Sequence, residues 1–309
     1  MIEIVALSDS MREVVRLAER VAATDANVLV TGESGVGKDA LATYIHARSV
    51  RASRAFVKID CGALPGELLE AELFGYERGA FTGATEARPG RLEAAHKGTL
   101  VLDEIAHLST DAQAKLLRVI EEREFERLGG RRTVKVDARL IALSNVDLDD
   151  AVRRRAFRED LFYRLNVVRL HVPPLRERRE DVEDLARALL KTYAMKHGRV
   201  IKGISSDALS VLKSYEFPGN VRELANTIER ALIVAEGKKV EVLDLPESLR
   251  ASAAMQKQAK HRQTLAELEA DYISETLEFA KGNKSEAARL LGISRKNLYE
   301  KLARYKSRS

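Results

Sequence analysis

A glycine-rich segment that ends in a lysine is the part of this sequence best suited to bind phosphate. It follows an apolar run at 27–31 and consists of Gly32, Glu33, Ser34, Gly35, Val36, Gly37 and Lys38. A helical pattern begins directly after it, so backbone amides and the helix dipole can surround phosphate groups. Lys38 is then expected to reach the β- and γ-phosphates. The general pattern continues with Ser or Thr, which holds Mg²⁺, whereas this chain has Asp39.

Two carboxylates, Asp103 and Glu104, end a later apolar run at 98–102. Acidic pairs at strand ends are also common on solvated surfaces, so the pair alone does not decide between a surface and a site. Because it follows a phosphate-binding loop in the expected order, it favours a nucleotide site.

The stretch Gly79-Ala80-Phe81-Thr82-Gly83-Ala84 lies between these two motifs. No helical or strand periodicity surrounds Phe81, and the glycines allow sharp turns. The stretch therefore predicts a loop that presents Phe81 and Thr82 at the surface. An aromatic side chain buried in a tight turn is the alternative.

The elements that position these residues alternate between short apolar runs and helical patterns. Strands are predicted at 27–31, 55–60, 99–103 and 138–144. Their almost continuous apolar character is typical of a parallel sheet covered on both faces. After Pro173 and Pro174 the sequence is helical only, with helices at 180–193, 206–214 and 220–235. We predict an α/β domain at 1–170, a helical lid at 171–245 and a polar linker at 246–263.

A compact helical unit is predicted at 264–309. An amphipathic helix at 264–280 precedes a helix at 283–291, a turn at Gly292 and a second helix at 295–305. Cationic and amide side chains suit base edges and phosphates in the major groove. We expect the second helix to expose Arg295, Lys296, Asn297, Tyr299 and Lys301. A helical hairpin that serves only for dimerisation is the alternative.

Composition excludes several classes of protein. Of 309 residues, 45% are hydrophobic and 32% are charged, and no apolar run approaches the ~20 residues of a membrane span. Cys61 is the single cysteine, which excludes an internal disulfide and fits a reducing cytoplasm. The net charge of +5 weakly favours a polyanionic partner.

The motifs together resemble one family. Residues 72–84, which include the Gly79–Ala84 stretch, are similar to the contact-loop signature of bacterial sigma-54 activators. These are enhancer-binding AAA+ ATPases, and they commonly carry an acidic residue where this chain has Asp39. The resemblance extends from about 4 to 305, and the carboxy-terminal unit resembles their Fis-type domain. It implies an α/β AAA+ P-loop fold with a parallel sheet and helical lid, plus a small all-α helix-turn-helix domain.

The resemblance also implies roles for individual residues. Asp103 would hold Mg²⁺, and Glu104 would polarise the attacking water. Asn145 follows Ser144 at the sensor I position, and Arg222 would touch nucleotide from the sensor II block at 217–224. Arg158 and Arg164 would act as arginine fingers in a neighbouring subunit's site, while Phe81 and Thr82 would contact sigma-54. The segment 175–178 is expected to be structural.

Asp60 stands where most of these activators have an asparagine that restrains the catalytic glutamate. An ionised aspartate cannot donate a hydrogen bond to Glu104, and two adjacent carboxylates raise one pKa. We therefore expect the two carboxylates to share a proton, or Asp60 to turn away from Glu104. Pairing of Asp60 with Lys58 or Arg91 is an equally open alternative.

The implied function is ATP-driven activation of transcription with Mg²⁺ as cofactor. The partners would be enhancer DNA, sigma-54 with RNA polymerase holoenzyme, and further copies of the chain in a ring, expected to be a hexamer. No membrane is involved. A repressor that does not open promoters and an AAA+ remodeller of other substrates are the competing functions. No amino-terminal regulatory domain is expected, so either a separate regulatory protein acts on the chain or the sequence is a piece of a longer protein.

Overall fold

A computed structural model describes residues 4–260, 265–280 and 283–306. The chain forms two compact units, 1–250 and 251–309. Within the described ranges, we find no helix whose length and apolar character would let it span a bilayer.

A five-stranded parallel sheet forms the centre of the first unit. Its strands and those of two small hairpins are, in chain order, β1 (Val28–Thr31), β2 (Phe56–Asp60), β3 (Gly75–Tyr76), β4 (Arg88–Pro89), β5 (Thr99–Asp103), β6 (Glu124–Glu126), β7 (Thr133–Lys135), β8 (Arg139–Ser144) and β9 (Val168–His171). The sheet order is β2-β5-β8-β1-β9. The four predicted strands are confirmed to within one residue at each end, and β9 is an additional edge strand.

Helices cover both faces of this sheet. They are α1 (Asp9–Ala22), α2 (Lys38–Ala47), α3 (Gly66–Phe74), α4 (Arg91–Ala94), α5 (Thr110–Glu122), α6 (Leu148–Arg153) and α7 (Glu159–Leu165). Side chains of β1 alternate between the two faces of the sheet. Leu29 belongs to the buried cluster on one face, and Val28 and Val30 belong to the cluster on the other. This alternation confirms a doubly covered parallel sheet.

Two antiparallel hairpins project from the sheet domain. One pairs β3 with β4 around the Gly79–Ala84 stretch, and the other pairs β6 with β7. A bridge between Tyr76 and Leu128 joins them, with the Glu77 amide donating to the Leu128 carbonyl at 2.9 Å. The first hairpin is therefore fixed at its base by the second.

The helical lid consists of α8 (Asp181–Lys196), α9 (Ser206–Ser214) and α10 (Asn220–Val234). Phe217 is fully buried among their apolar side chains. Its φ of 50° lies in the left-handed region. The turn before α10 therefore has a fixed geometry, because Phe217 is anchored in the lid core.

The segment at 246–263 differs from the polar linker that we expected. Helix α11 runs from Glu247 to Lys260. Alanine, glutamine and lysine dominate it, and these residues have high helix propensity. Their polar character suggested a loop, but nothing in the composition breaks a helix.

The second unit contains α12 (Leu265–Phe279), α13 (Lys284–Leu290) and α14 (Arg295–Lys306). Its core is small and includes Ile273, Ala287 and Leu298. Asn283 caps α13, and the Ser294 hydroxyl accepts from the Asn297 amide at 3.2 Å. The predicted helix-turn-helix is confirmed.

Candidate functional site

The glycine-rich loop lies where β1 ends and α2 begins. Helix α2 starts at Lys38, and the Lys38 side chain folds back over the loop. Its ammonium donates to the Gly32 carbonyl at 2.8 Å and to the Glu33 carbonyl at 3.1 Å. Burial lowers the pKa of Lys38, while nearby Glu104 and Asp103 oppose that shift. The lysine is thus held at the loop and close to acidic groups.

The predicted carboxylate pair ends β5 beside this loop. The Asp103 carboxylate accepts from the Glu104 amide at 3.0 Å. Glu104 itself has a left-handed backbone, with φ 53° and ψ 47°. Its Oε2 atom is buried and has no hydrogen-bond partner within the described part of the chain. Burial raises the pKa of Glu104, and the charge of Lys38 limits that rise.

Lys58 joins two acidic residues that the sequence did not connect. Its ammonium lies 2.8 Å from Asp103 Oδ2 and also contacts Asp39 Oδ1. The three side chains come from β2, β5 and α2. Burial disfavours the charged amine, but the bonds to Asp103 and Asp39 outweigh it and raise the pKa of Lys58.

Asp60 turns toward its own loop. Its Oδ1 atom accepts from the Gly62 amide at 2.9 Å. Lys58 is bound to Asp39 and Asp103, and Arg91 pairs with Glu72, so the alternative that Asp60 pairs with either of them is wrong. No hydrogen bond joins Asp60 to Glu104 in the described part of the chain, which is the arrangement in which Asp60 turns away. The adjacent Cys61 is buried, and burial raises its pKa to about 12.

The lid is attached directly to the phosphate-binding loop. Glu33 accepts two bonds from Arg176, at 2.6 and 2.9 Å, and one from Asn220 at 3.0 Å. These bonds lower the pKa of Glu33 to about 2. Arg178 is buried and donates to the Val36 carbonyl at 2.6 Å. The segment 175–178, for which we expected a structural role, holds the lid on the loop.

A cleft of about 590 Å³ opens between the loop and α10. Arg222 lines it and donates to the Ser34 hydroxyl at 2.9 Å, and Asn145 lines it from the end of β8. Gly35 has a φ of 77°, and a Cβ atom there would lie 2.4 Å from the Gly219 carbonyl oxygen. A side chain at position 35 would therefore push the lid away from the loop.

The two arginines predicted to act in trans are exposed and paired within the chain. Arg158 precedes α7 and binds Asp160, with 2.7 Å between Nη2 and Oδ2. Arg164, on α7, binds Glu121 of α5 at 2.9 Å. Each arginine would have to leave its carboxylate partner before it could act in another subunit.

The Gly79–Ala84 stretch forms the tip of the β3–β4 hairpin. The Gly79 amide donates to the Ala84 carbonyl at 2.8 Å, which closes the loop. Phe81 is 39% exposed and packs edge-on against Tyr76, with ring centroids 5.0 Å apart. Thr82 is exposed. Both side chains lie at the surface, and the alternative of a buried aromatic is wrong.

In the second unit, Arg295, Lys296, Asn297 and Tyr299 are exposed on α14. Lys301 differs from our expectation, because it is partly buried and binds Glu269 of α12 at 2.6 Å. It lies three residues after buried Leu298, so it shares the inward face of the helix.

Sequence reasoning missed the contacts of Lys58, Arg176, Arg178 and Asn220. A double proline followed by two arginines was the available signal for the lid contacts. No local pattern marks Lys58, since its partners depend on strand order.

Models of known protein families match the chain along most of its length. Residues 4–171 match the sigma-54 interaction domain, residues 176–262 match the AAA+ ATPase lid domain, and residues 264–305 match the bacterial regulatory protein, Fis family. The first match alone covers more than half of the chain.

Curated relatives include two bacterial regulators that are 45% identical to this chain. The alignment with regulatory protein AtoC of Escherichia coli strain K12 is 306 positions long and covers 96% of this chain and 66% of AtoC. Transcriptional regulatory protein FlbD of Caulobacter vibrioides aligns with 96% of this chain and 69% of FlbD. The chain thus spans about two thirds of the length of these relatives.

Crystal structures of NtrX from Brucella abortus are similar to the whole chain. The complex with ATP has a TM-score of 0.75 and 35% identity, and covers 97% of this chain and 69% of NtrX. The complex with ADP has a TM-score of 0.72. Together with the site geometry and the family matches, these similarities establish that the chain belongs to the sigma-54-dependent transcriptional activators, with an AAA+ ATPase domain and a Fis-type DNA-binding helix-turn-helix.

Proposed function

We propose that this chain hydrolyses ATP to remodel the closed complex of sigma-54 and RNA polymerase into an open complex. The observation that carries the proposal is the partly buried Glu104 side chain beside Lys38 and the phosphate-binding loop, whose Oε2 atom has no hydrogen-bond partner among the described residues. A buried carboxylate with a raised pKa suits a general base. In this proposal Glu104 takes a proton from the attacking water, and Lys38 binds the phosphates.

The acidic side chains beside Lys58 fit a magnesium ion. Asp39 and Asp103 supply hard carboxylate oxygens and already share a cationic group. Mg²⁺ in nucleotide enzymes uses one or two carboxylates together with phosphates and water. We assign Asp103 as the protein ligand, with Asp39 beside it; the metal would neutralise phosphate charge.

Assembly into a ring would complete the site. Arg158 and Arg164 lie on the surface, so an arginine of one subunit can enter the site of its neighbour. There it would stabilise charge on the γ-phosphoryl group during transfer. Hydrolysis would then require an assembled ring, which we propose to be a hexamer.

The surface loop and the second unit would bind the partners needed for transcription activation. Phe81 and Thr82, at the tip of the β3–β4 hairpin, are proposed to contact sigma-54. Exposed side chains of α14 would bind enhancer DNA, with α12 and α13 supporting them. We also propose that the chain acts in the cytoplasm, where these partners are found.

The test is a pull-down of purified sigma-54 with and without an ATP transition-state mimic. We expect capture only with the mimic. Thr82→Ala should assemble and hydrolyse ATP normally yet lose capture, because Thr82 is an exposed residue of the hairpin tip and does not line the nucleotide cleft. Capture of sigma-54 by Thr82→Ala at the parental level would show that this loop is not the contact.

A further inference from the structure

Lys58 connects the end of the phosphate-binding loop to the end of β5. It lies on β2, two residues before Asp60, so both side chains point to the same face of the sheet. Its ammonium bridges Asp39 of α2 and Asp103 of β5. No other basic side chain in the described ranges pairs with either carboxylate.

The surroundings of this bridge are rich in negative charge. Asp39, Asp103 and Glu104 all lie close enough to Lys38 to interact with its charge, and Asp60, at the end of β2, acts in the same way on Glu104. Lys38 is turned toward the carbonyls of its own loop. Without Lys58, Asp39 and Asp103 would have no ion-pair partner among the described residues, and Lys38, which is bonded to loop carbonyls, would be left to offset their charge.

Asp39 makes this arrangement necessary. A neutral hydroxyl follows the lysine in the general phosphate-binding loop, whereas Asp39 adds a full negative charge at the amino-terminal turn of α2. That negative charge would repel the phosphate groups of a nucleotide bound at the loop and so weaken nucleotide binding. A lysine on the adjacent strand cancels it.

We propose that Lys58 is a built-in counter-cation of the nucleotide site. It neutralises Asp39 and Asp103 so that nucleotide binds without a metal ion, and it releases Asp103 when Mg²⁺ binds. Its flexible stem and partial exposure allow that release. This inference rests on the proposed ATPase function, and it assigns to Lys58 a positioning and charge-balancing role rather than a catalytic one.

The test measures binding of a fluorescent ATP analogue to the full chain, in EDTA and in saturating Mg²⁺. In EDTA, we expect Lys58→Gln to weaken binding about tenfold, since one positive charge near the phosphates is lost. In Mg²⁺, the loss should be under about threefold, because the metal ion then supplies the charge. Equal weakening in both conditions, or no weakening in either, would overturn the inference.

Further variants separate charge from structure. Lys58→Arg should bind like the parent in EDTA, and Asp39→Asn combined with Lys58→Gln should regain most of the affinity lost in EDTA. Lys135→Gln, an exposed strand lysine on β7, is the matched control and should leave both affinities unchanged. Failure of the double variant to regain affinity would count against charge balance. If the parent binds no nucleotide in either condition, the proposed function fails instead.

Discussion

Glu104 occupies a backbone conformation that few non-glycine residues adopt. Its φ of 53° places it in the left-handed region, at the start of a short 3-10 turn. Such conformations cost on the order of 1–3 kcal/mol and are concentrated at functional sites. At this position the conformation accompanies a partly buried carboxylate beside Lys38, whose Oε2 atom has no hydrogen-bond partner among the described residues.

We predict that Glu104→Gln binds ATP but hydrolyses it at least about 100-fold more slowly, because the amide cannot accept the water's proton. Phosphate release and nucleotide binding, measured on the same preparation, check both halves of the prediction. Glu67→Gln, an exposed residue of α3, is the control and should hydrolyse normally. A turnover number for Glu104→Gln near that of the parent would remove the glutamate from the mechanism.

Asp60 gives the site a testable pH dependence. Burial raises the pKa of Glu104, Lys38 and His107 oppose the rise, and the charges of Asp103 and Asp60 add to it. A base must be ionised, so activity falls as pH drops through this raised pKa. Asp60→Asn removes one negative charge and lowers the Glu104 pKa.

The Asp60→Asn variant should therefore retain activity to lower pH, with a flatter ATPase profile than that of the parent. ATPase rates from pH 5 to 8 at saturating nucleotide provide the measurement, and a thermal melt checks that the fold is kept. Superimposable pH profiles would show that Asp60 does not influence the glutamate.

At the scale of single residues, sequence motifs predicted the residues expected to bind phosphate. They did not predict Lys58, which neutralises the acidic side chains beside them. Gly32–Lys38 and Asp103-Glu104 belong to contiguous patterns that can be read locally. The partners of Lys58 come from another strand and a helix, which only the sheet order β2-β5-β8 brings together. The bond from Arg176 to Glu33 likewise depends on how the lid folds back.

At the scale of elements, hydrophobic patterning located the central strands and the lid helices well. The four predicted strands are mostly apolar runs, as expected for a parallel sheet covered on both faces, although β2 at the sheet edge also carries Lys58 and Asp60. The sequence did not reveal β9 as a separate strand, because Val168–His171 alternates apolar and polar residues at the sheet edge. The hairpins β3–β4 and β6–β7 are too short to produce a periodic signal, and their pairing depends on tertiary contacts.

Helix α14 carries the prediction for DNA. Arg295, Lys296 and Asn297 are exposed at its start, so replacing all three by alanine should weaken enhancer binding and relax its sequence preference. Each lost base contact costs on the order of 1–3 kcal/mol. Footprinting at fixed salt measures the loss.

Lys301→Ala is the comparison for this experiment. Lys301 binds Glu269 of α12, so we expect a smaller effect on DNA binding than the triple variant produces. Basal ATPase at high protein concentration should be unchanged in the triple variant, since α14 is not part of the nucleotide site. An unaltered footprint of the triple variant would favour a hairpin used only for dimerisation.

At the scale of the whole molecule, the nucleotide site is linked to the surface loop along the chain. Helix α3 connects the Asp60 end of β2 to β3, and β3 leads into the Gly79–Ala84 tip. The bridge from Tyr76 to Leu128 fixes the base of that hairpin against its neighbour. We therefore expect α3 to carry a change near Glu104 and Asp60 to the tip.

Arg158 and Arg164 extend this argument to more than one copy of the chain. In the structure each is paired with a carboxylate of the same chain. If Arg158 acts in a neighbour's site, an active interface needs Glu104 from one subunit and Arg158 from the next. Two different inactive variants should then complement each other in a mixed ring.

We predict that Arg158→Ala and Glu104→Gln are each nearly inactive as ATPases and that an equimolar mixture regains activity. Random assembly would give about one competent interface in four, so the mixture should reach roughly a quarter of the parental rate. The measurement is phosphate release after the two proteins are mixed and allowed to exchange subunits. Arg153→Ala, at an exposed arginine of α6, is the control, and it should hydrolyse ATP without a second variant in the mixture. A mixture no more active than its components would show that Arg158 does not act across the subunit interface.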